Sequence, residues 1–290
     1  MFNRVAIIGL GLIGGSIGLA LRQAQAAREV VGYDLGRGVS EQARKVGAVD
    51  QSYDALADAV RGAELVILAT PVGAMRSLLQ HIAPIISPGT IVTDVASTKV
   101  QVINWAEEFL SPSVPFVGGH PMTGKELSGV DAADATLFNN RIYCLTPTTG
   151  THKTAVNKVA ALIEVLGARL RLLEPEDHDK QVAGVSHLPF IASIAMVNTV
   201  ANDATWGDAS LLAAGGFRDM SRLAGGNPEM YRDICLTNSG PIVQWLEEYI
   251  VALEKIHDRI SQQDKSLSDT FTNAQRLRLQ WQSSQVISEE

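Results

Sequence analysis

Short apolar runs recur along the first two-thirds of the chain, at residues 5–9, 30–33, 65–69, 90–94, 116–118, 142–146 and 169–173. Amphipathic stretches separate them at residues 14–24, 40–45, 74–81, 99–109 and 153–166. Runs of this length, rich in Val, Ile, Leu or Phe, predict buried strands, and their alternation with helical stretches predicts crossover helices and a mainly parallel sheet. Thr70-Pro71 closes the third run, because proline cannot extend a strand ladder. After Pro175 no further strand is predicted. Pro175-Glu176-Asp177 reads as a helix start, where the missing N–H costs nothing and acids meet the positive end of the helix dipole. Residues 182–200 are almost entirely apolar or small, which predicts a helix covered on all sides, within the chain or between subunits. Residues 231–260 are more amphipathic, and from about residue 280 the chain is polar enough to fray. The change of texture divides the chain into residues 1–174 and a helical part, residues 175–290.

A length of 290 residues suits two domains, each able to bury a core. With 24 basic against 31 acidic side chains and no basic run, the net charge of −7 speaks against a nucleic-acid partner. Cys144 and Cys235 lack metal-type spacing and read as buried thiols of a reducing compartment, so a cytoplasmic location is expected. The uncharged stretch at residues 5–21 resembles a signal peptide or a short membrane span, but five glycines within it predict a strand, a turn and a helix instead. No membrane association is expected.

Gly9-Leu10-Gly11-Leu12-Ile13-Gly14 follows the first strand and opens the first helix, the setting of a dinucleotide-binding turn. Gly9 permits the turn, Gly11 lets the backbone approach a pyrophosphate, and Gly14 lets helix pack on strand. Asp34 stands 20 residues beyond Gly14, where a carboxylate accepts bonds from the adenosine ribose and repels a 2′-phosphate. NAD is favoured, while Arg37 nearby leaves NADP open. Thr70 and Pro71, at the exit of the third strand, join the same candidate site as Leu12 and Ile13. The first part of the chain is therefore read as a Rossmann-type dinucleotide-binding domain.

Asp94-Val95-Ala96-Ser97-Thr98-Lys99 and Gly118-Gly119-His120-Pro121-Met122 stand at the carboxyl ends of two further strands, which line the ligand crevice of an open α/β sheet. Nicotinamide chemistry needs a proton acceptor, and a neutral histidine suits that role, so His120 is the first catalytic candidate. It also fits a histidine bound to backbone in a glycine-rich turn. Ser97 reads either as the N-cap of the following helix or as a catalytic hydroxyl. His187, in Ser186-His187-Leu188-Pro189, and Arg218 and Arg222, after Gly215-Gly216, are candidates whose position alone leaves core or ion-pair roles open.

Together these segments resemble the prephenate/arogenate dehydrogenase family of tyrosine biosynthesis. Gly9 to Gly14, Asp94 to Lys99, Gly118 to Met122, Leu145-Thr146-Pro147-Thr148, Asp177-His178-Asp179, Ser186 to Pro189 and Gly216 to Arg222 occur in the family's order and spacing. The resemblance implies an α/β fold, a Rossmann-type domain followed by an all-helical dimerisation domain, and a homodimer. It implies NAD-dependent oxidative decarboxylation of prephenate to 4-hydroxyphenylpyruvate, or of arogenate to tyrosine, with prephenate placed first. It makes His120 the proton acceptor, Ser97 the group that holds the same substrate hydroxyl, Arg222 the carboxylate anchor and His187 a neighbour of the substrate side chain. Glu126 matches an acidic position at the pocket mouth, and Arg218 is a further substrate-side candidate. Neither a preceding mutase domain nor a following regulatory domain is expected, so any tyrosine feedback would act at the active site.

Two other readings fit parts of the pattern. A β-hydroxyacid dehydrogenase would need a catalytic lysine in the helical part, where Lys180 sits in a charged helix start. An NAD-sensing protein without turnover would not need His120. A metal site from Glu176, Asp177, His178 and Asp179 is disfavoured, because consecutive helical residues point in different directions and acids at a helix start have a simpler explanation; no metal is expected.

Overall fold

The apolar runs become the strands of one eight-stranded sheet in the computed structural model, which describes residues 2–125 and 127–287. In chain order the strands are β1 (Phe2–Ile8), β2 (Ala27–Tyr33), β3 (Gln51–Ser52), β4 (Leu65–Leu68), β5 (Ile91–Asp94), β6 (Phe116–Pro121), β7 (Ile142–Thr146) and β8 (Arg169–Leu172). Their spatial order is β3-β2-β1-β4-β5-β6-β7-β8. Pairings from β3 to β6 are parallel, β6 and β7 are antiparallel, and β7 and β8 are parallel. Because the chain winds outward from β1 in one direction and from β4 in the other, the topological switch lies between them, where an α/β sheet opens a ligand crevice. The middle of the sheet is apolar: Val5, Ile7, Leu65 and Ile67 are fully enclosed, as expected where parallel strands are covered on both faces.

Helices α1 (Leu12–Gln23), α2 (Val39–Lys45), α3 (Leu56–Val60), α4 (Val72–Ile82), α5 (Val100–Phe109) and α6 (Lys153–Val165) connect the strands. Two short elements, β3 and α3, fall outside the predicted set. A two-residue strand and a five-residue helix carry too little apolar periodicity to be read from the chain. Residues 5–21, which resembled a membrane span, form part of β1, the glycine turn and part of α1.

The helical part of the first compact unit, Met1–Ser239, continues with α7 (Pro175–Val182), α8 (Leu188–Ala201), α9 (Trp206–Ala209), α10 (Gly215–Ser221) and α11 (Pro228–Thr237). A π-helical turn, Ala183–His187, joins α7 to α8. Pro189 explains it, since its ring and missing N–H cannot accommodate the ordinary bond to the preceding turn. The whole segment Pro175–Ala201 has the length and apolarity of a membrane span, yet it carries His178, Asp179 and His187 buried in the protein. The expectation that residues 182–200 are covered is not met within one chain. Only Phe190 and Ser193 of α8 are buried, because hydropathy registers apolarity but not what stands opposite it.

The second unit, Gly240–Glu290, holds α12 (Ser239–Ser261) and α13 (Leu267–Ile287), tied together by Arg259 Nη1 donating to Thr270 Oγ1 at 2.5 Å. It exposes Ile250, Leu253, Phe271 and Trp281. Residues 281–287, expected to fray, continue α13.

Candidate active site

The strand ends at the switch point build a cradle for a dinucleotide. Gly9 leaves β1 with φ +97°, and a Cβ there would stand 2.5 Å from the Ala69 carbonyl oxygen. Gly14 lies so close to the turn that a Cβ would meet the Gly9 carbonyl oxygen at 2.0 Å. Gly11 caps α1 with open space where its Cβ would be, so nothing in the protein requires glycine there. An approaching pyrophosphate would. Leu12 and Ile13 occupy the first turn of α1, half-buried, while Thr70 and Pro71 flank the turn from the end of β4. Asp34, just past β2, folds back onto the turn: its carboxylate accepts from Leu10 N and from Gly36 N, both at 2.7 Å. Arg37 is exposed beyond it. These residues fit a bound NAD.

The glycines therefore separate binding from folding. Gly11→Ala is expected to weaken NADH binding by about tenfold or more while the Tm of the ligand-free protein stays put. Gly14→Ala is expected to lower that Tm. Equal Tm losses in the two variants would contradict the assignment.

A second cluster lies where β5 and β6 end. Lys99 is fully buried, and its ammonium donates to Asp94 Oδ2 and, at 2.6 Å, to the Gly119 carbonyl. Asp94 Oδ1 in turn accepts from Gly119 N at 3.0 Å, so one ion pair holds the two strand ends together. Gly119 is dictated by this closeness, because a Cβ would stand 2.6 Å from the Asp94 carbonyl oxygen. The next residue, His120, keeps 9% of its surface accessible. Its Nδ1 lies 2.9 Å from His178 Nε2, and His178 Nδ1 lies 2.9 Å from Asp179 Oδ1. Burial, with the nearby His178, Lys99 and His187 acting in the same direction, pushes His120 well below the usual histidine range. Burial also lowers Lys99, with Asp94 opposing it. For His120 this direction favours the uncharged imidazole.

Ser97 is half-buried in the loop between β5 and α5. Its reading as an N-cap is corrected: Lys99 is the cap residue, and the start of α5 is closed by Asp179, which accepts from Lys99 N at 2.7 Å and from Val100 N at 2.9 Å. A carboxylate from α7 has replaced the local serine, leaving the Ser97 hydroxyl available for another task. Next to Ser97, Thr98 Oγ1 meets Thr237 Oγ1 of α11 at 3.0 Å.

His187 ends the π turn, buried, with Nδ1 3.2 Å from Asn238 Nδ2. Burial lowers it to about 4, with Asp179 opposing and His178 assisting. Asn238 also donates to the Asp179 carbonyl at 2.8 Å. His187 leans on Phe190 at 5.9 Å between centroids, and Phe190 stacks flat on Tyr231 at 4.0 Å. Arg222 opens the short turn Arg222–Gly225 and is exposed, with its charge felt at the Tyr231 phenol. Arg218 is also exposed, and its ion pair to Asp219 is loose at 4.0 Å. Glu126 lies outside the described residues. The structure thus brings His120 and His187 into one buried network with three residues not assigned a site role from sequence: His178, Asp179 and Asn238. The clue to the first two lay in the segment Asp177-His178-Asp179, where acids that flank a helix start obscured the two residues that turn inward.

Comparison with known proteins covers both parts of the chain. The family described as prephenate dehydrogenase, nucleotide-binding domain, matches residues 17–172, and prephenate dehydrogenase, dimerization domain, matches residues 174–273. A prephenate dehydrogenase of Bacillus subtilis is 37% identical over 266 residues, 91% of this chain and 72% of that protein. The structure of prephenate dehydrogenase from A. aeolicus in complex with hydroxyphenyl propionate and NAD+ superimposes with a TM-score of 0.90 at 29% identity, covering 97% of this chain and 98% of that one. Synechocystis arogenate dehydrogenase superimposes with a TM-score of 0.82 at 33% identity, covering 96% and 99%.

Proposed function

The chain belongs to the prephenate dehydrogenase family, and from that premise we propose that the network around His120 performs the proton transfer of this reaction. It is an oxidoreductase that uses NAD to decarboxylate prephenate or arogenate oxidatively. This membership displaces the hydroxyacid-dehydrogenase and sensor readings. NAD, when bound, supplies the hydride acceptor. Gly9, Gly11, Leu12, Ile13, Gly14, Thr70 and Pro71 would hold its pyrophosphate side, and Asp34 its ribose.

His120 takes the proton of the ring hydroxyl as the carbon bearing it is oxidised, and returns it to the phenol oxygen once carbon dioxide has left and the ring is aromatic. Ser97 hydrogen-bonds the same hydroxyl. Arg222 anchors a carboxylate through its planar fork, with Arg218 beside it and His187 bordering the substrate side chain. The observation that carries this reading is a buried His120 at the carboxyl end of β6, on the same side of the sheet as the glycine turn, where burial favours its uncharged form.

Among substrates we place prephenate first, and we place the domain boundary at 174/175, where the helical part begins. The apolar face of α8, open in one chain, supports a homodimer made by the helical part. Free Cys144 and Cys235 support a cytoplasmic location.

The test is NADH formation, followed by its near-ultraviolet absorbance, with prephenate and arogenate, each with NAD and NADP. Turnover with NAD and prephenate is expected. Failure of all four pairings in a folded protein that binds NADH would overturn the reading.

A further inference from the structure

His120 can accept a proton at Nε2 only if its other nitrogen, Nδ1, carries the ring's hydrogen. The hydrogen-bond chain behind it decides which nitrogen that is. Asp179 accepts from two backbone N–H groups at the positive end of α5, Lys99 N and Val100 N, and its carboxylate is acceptor-only. The nitrogen facing it at 2.9 Å, His178 Nδ1, must therefore donate. In a neutral imidazole the remaining nitrogen, His178 Nε2, is then a lone-pair acceptor. His120 Nδ1, 2.9 Å away, must carry a hydrogen to bond it. That leaves Nε2 of His120, which has no partner among the described residues, as the lone pair.

We propose that His178, oriented by Asp179, is a positioning residue that fixes His120 in the tautomer with Nδ1 protonated and Nε2 open to the substrate hydroxyl. The inference rests on the proton-acceptor role given to His120 above. The polarity runs one way: carboxylate, imidazole, imidazole, substrate. The proton leaving the substrate hydroxyl stops at His120 Nε2, and the Nδ1 hydrogen stays where it is, shared with His178. Were His178 doubly protonated, its Nε2 would donate to His120 Nδ1 and the base would be blocked.

The surroundings hold this arrangement still. The two rings meet edge-on at 68°, with centroids 5.1 Å apart, and His178 is fully enclosed. Asn238 pins the Asp179 backbone from the end of α11. Around His120 lie Lys99 at the start of α5, Cys144 opposite it on β7, His178 of α7 and His187 of the π turn, with Asp94 and Asp179 held against Lys99 and His178 and Tyr143 packed beside Gly119.

Two variants of similar size and one measurement on the unaltered enzyme test the proposal. His178→Leu removes the acceptor, and kcat is expected to fall by about 10²-fold with KM within about threefold, since a wrongly oriented base affects the chemical step. His178→Gln offers Oε1 as an acceptor to His120 Nδ1 and should recover most of the loss. Leucine without effect, or leucine and glutamine equally impaired, would overturn the proposal. Nitrogen NMR of the histidine-labelled wild type, with the His120 signal assigned by its absence in His120→Asn, should show a protonated Nδ1 and a lone-pair Nε2. The opposite tautomer would overturn the proposal even if a variant failed to fold. Wild type without turnover on either ring acid would sink the proposed function, whereas normal turnover with the opposite tautomer would sink only the role of His178.

Discussion

His120→Asn is expected to lower kcat by about 10²–10⁴-fold, the contribution of a positioned general base, while NADH affinity stays within about twofold. The split follows from the sheet. The glycine turn at the end of β1 is separated from β6 by two intervening strands and Asp34 past β2 by three, so losing the imidazole leaves the cofactor cradle intact. Asparagine retains a polar group toward His178 but has no basic nitrogen. The pH profile carries a second signature. Burial holds His120 well below the ordinary histidine value, so the base stays neutral through the physiological range. Activity should be lost only as the pH falls through that depressed value and the ring takes up a proton before the substrate can supply one. In His120→Asn the residual activity should lose this acid limb. Steady-state kinetics across pH, with NADH binding measured separately, checks both parts. Unchanged turnover, or an acid limb that persists in the variant, would remove His120 as proton acceptor.

What the sequence could carry, and what it could not, follows from the range of the interactions. The central strands were legible because strand segments buried on both faces read as short apolar runs, a local property, whereas β8 is exposed and was marked only by its alternating leucines. The glycine turn was legible because its constraints are steric and sit within six residues. His120 was legible from its place after a predicted strand, although Gly118 and Gly119 hid the last residues of β6, which runs on to Pro121. Asp179 was not assigned a role, because its partners are Lys99 N and Val100 N, 80 and 79 residues away. Chain reading treats acids after Pro175 as dipole partners of their own helix, which holds for Glu176 and Asp177, but Asp179 closes a different helix. The same interaction explains the misreading of Ser97, whose expected capping role had already been filled from across the fold. The exposure of α8 was illegible for the opposite reason, since it concerns what the chain lacks rather than what it contains.

Arg222→Ala should raise the substrate KM on the order of 10²-fold, the loss expected when a charged hydrogen-bonding anchor is removed, with a smaller effect on kcat. The turn that carries Arg222 is held by hydrogen bonds on both sides. It is fastened to α8 by Ala224 N donating to Ser193 Oγ at 3.0 Å and to α11 by the Tyr231 hydroxyl donating to the Leu223 carbonyl at 2.8 Å. Gly226 lets Tyr231 lie there, because a Cβ would stand 2.2 Å from the phenol oxygen. From Tyr231 a continuous row runs through stacked Phe190 to His187, then by way of Asn238 to Asp179 and the imidazoles of His178 and His120. The proposed substrate anchor and proton acceptor therefore sit on one packed scaffold, which fixes their separation. Arg222→Lys separates charge from geometry. A lysine keeps the positive charge but not the planar fork, so its KM should fall between those of wild type and alanine. A normal KM in the alanine variant would remove Arg222 as the anchor, and a lysine variant equal to wild type would show that charge alone suffices.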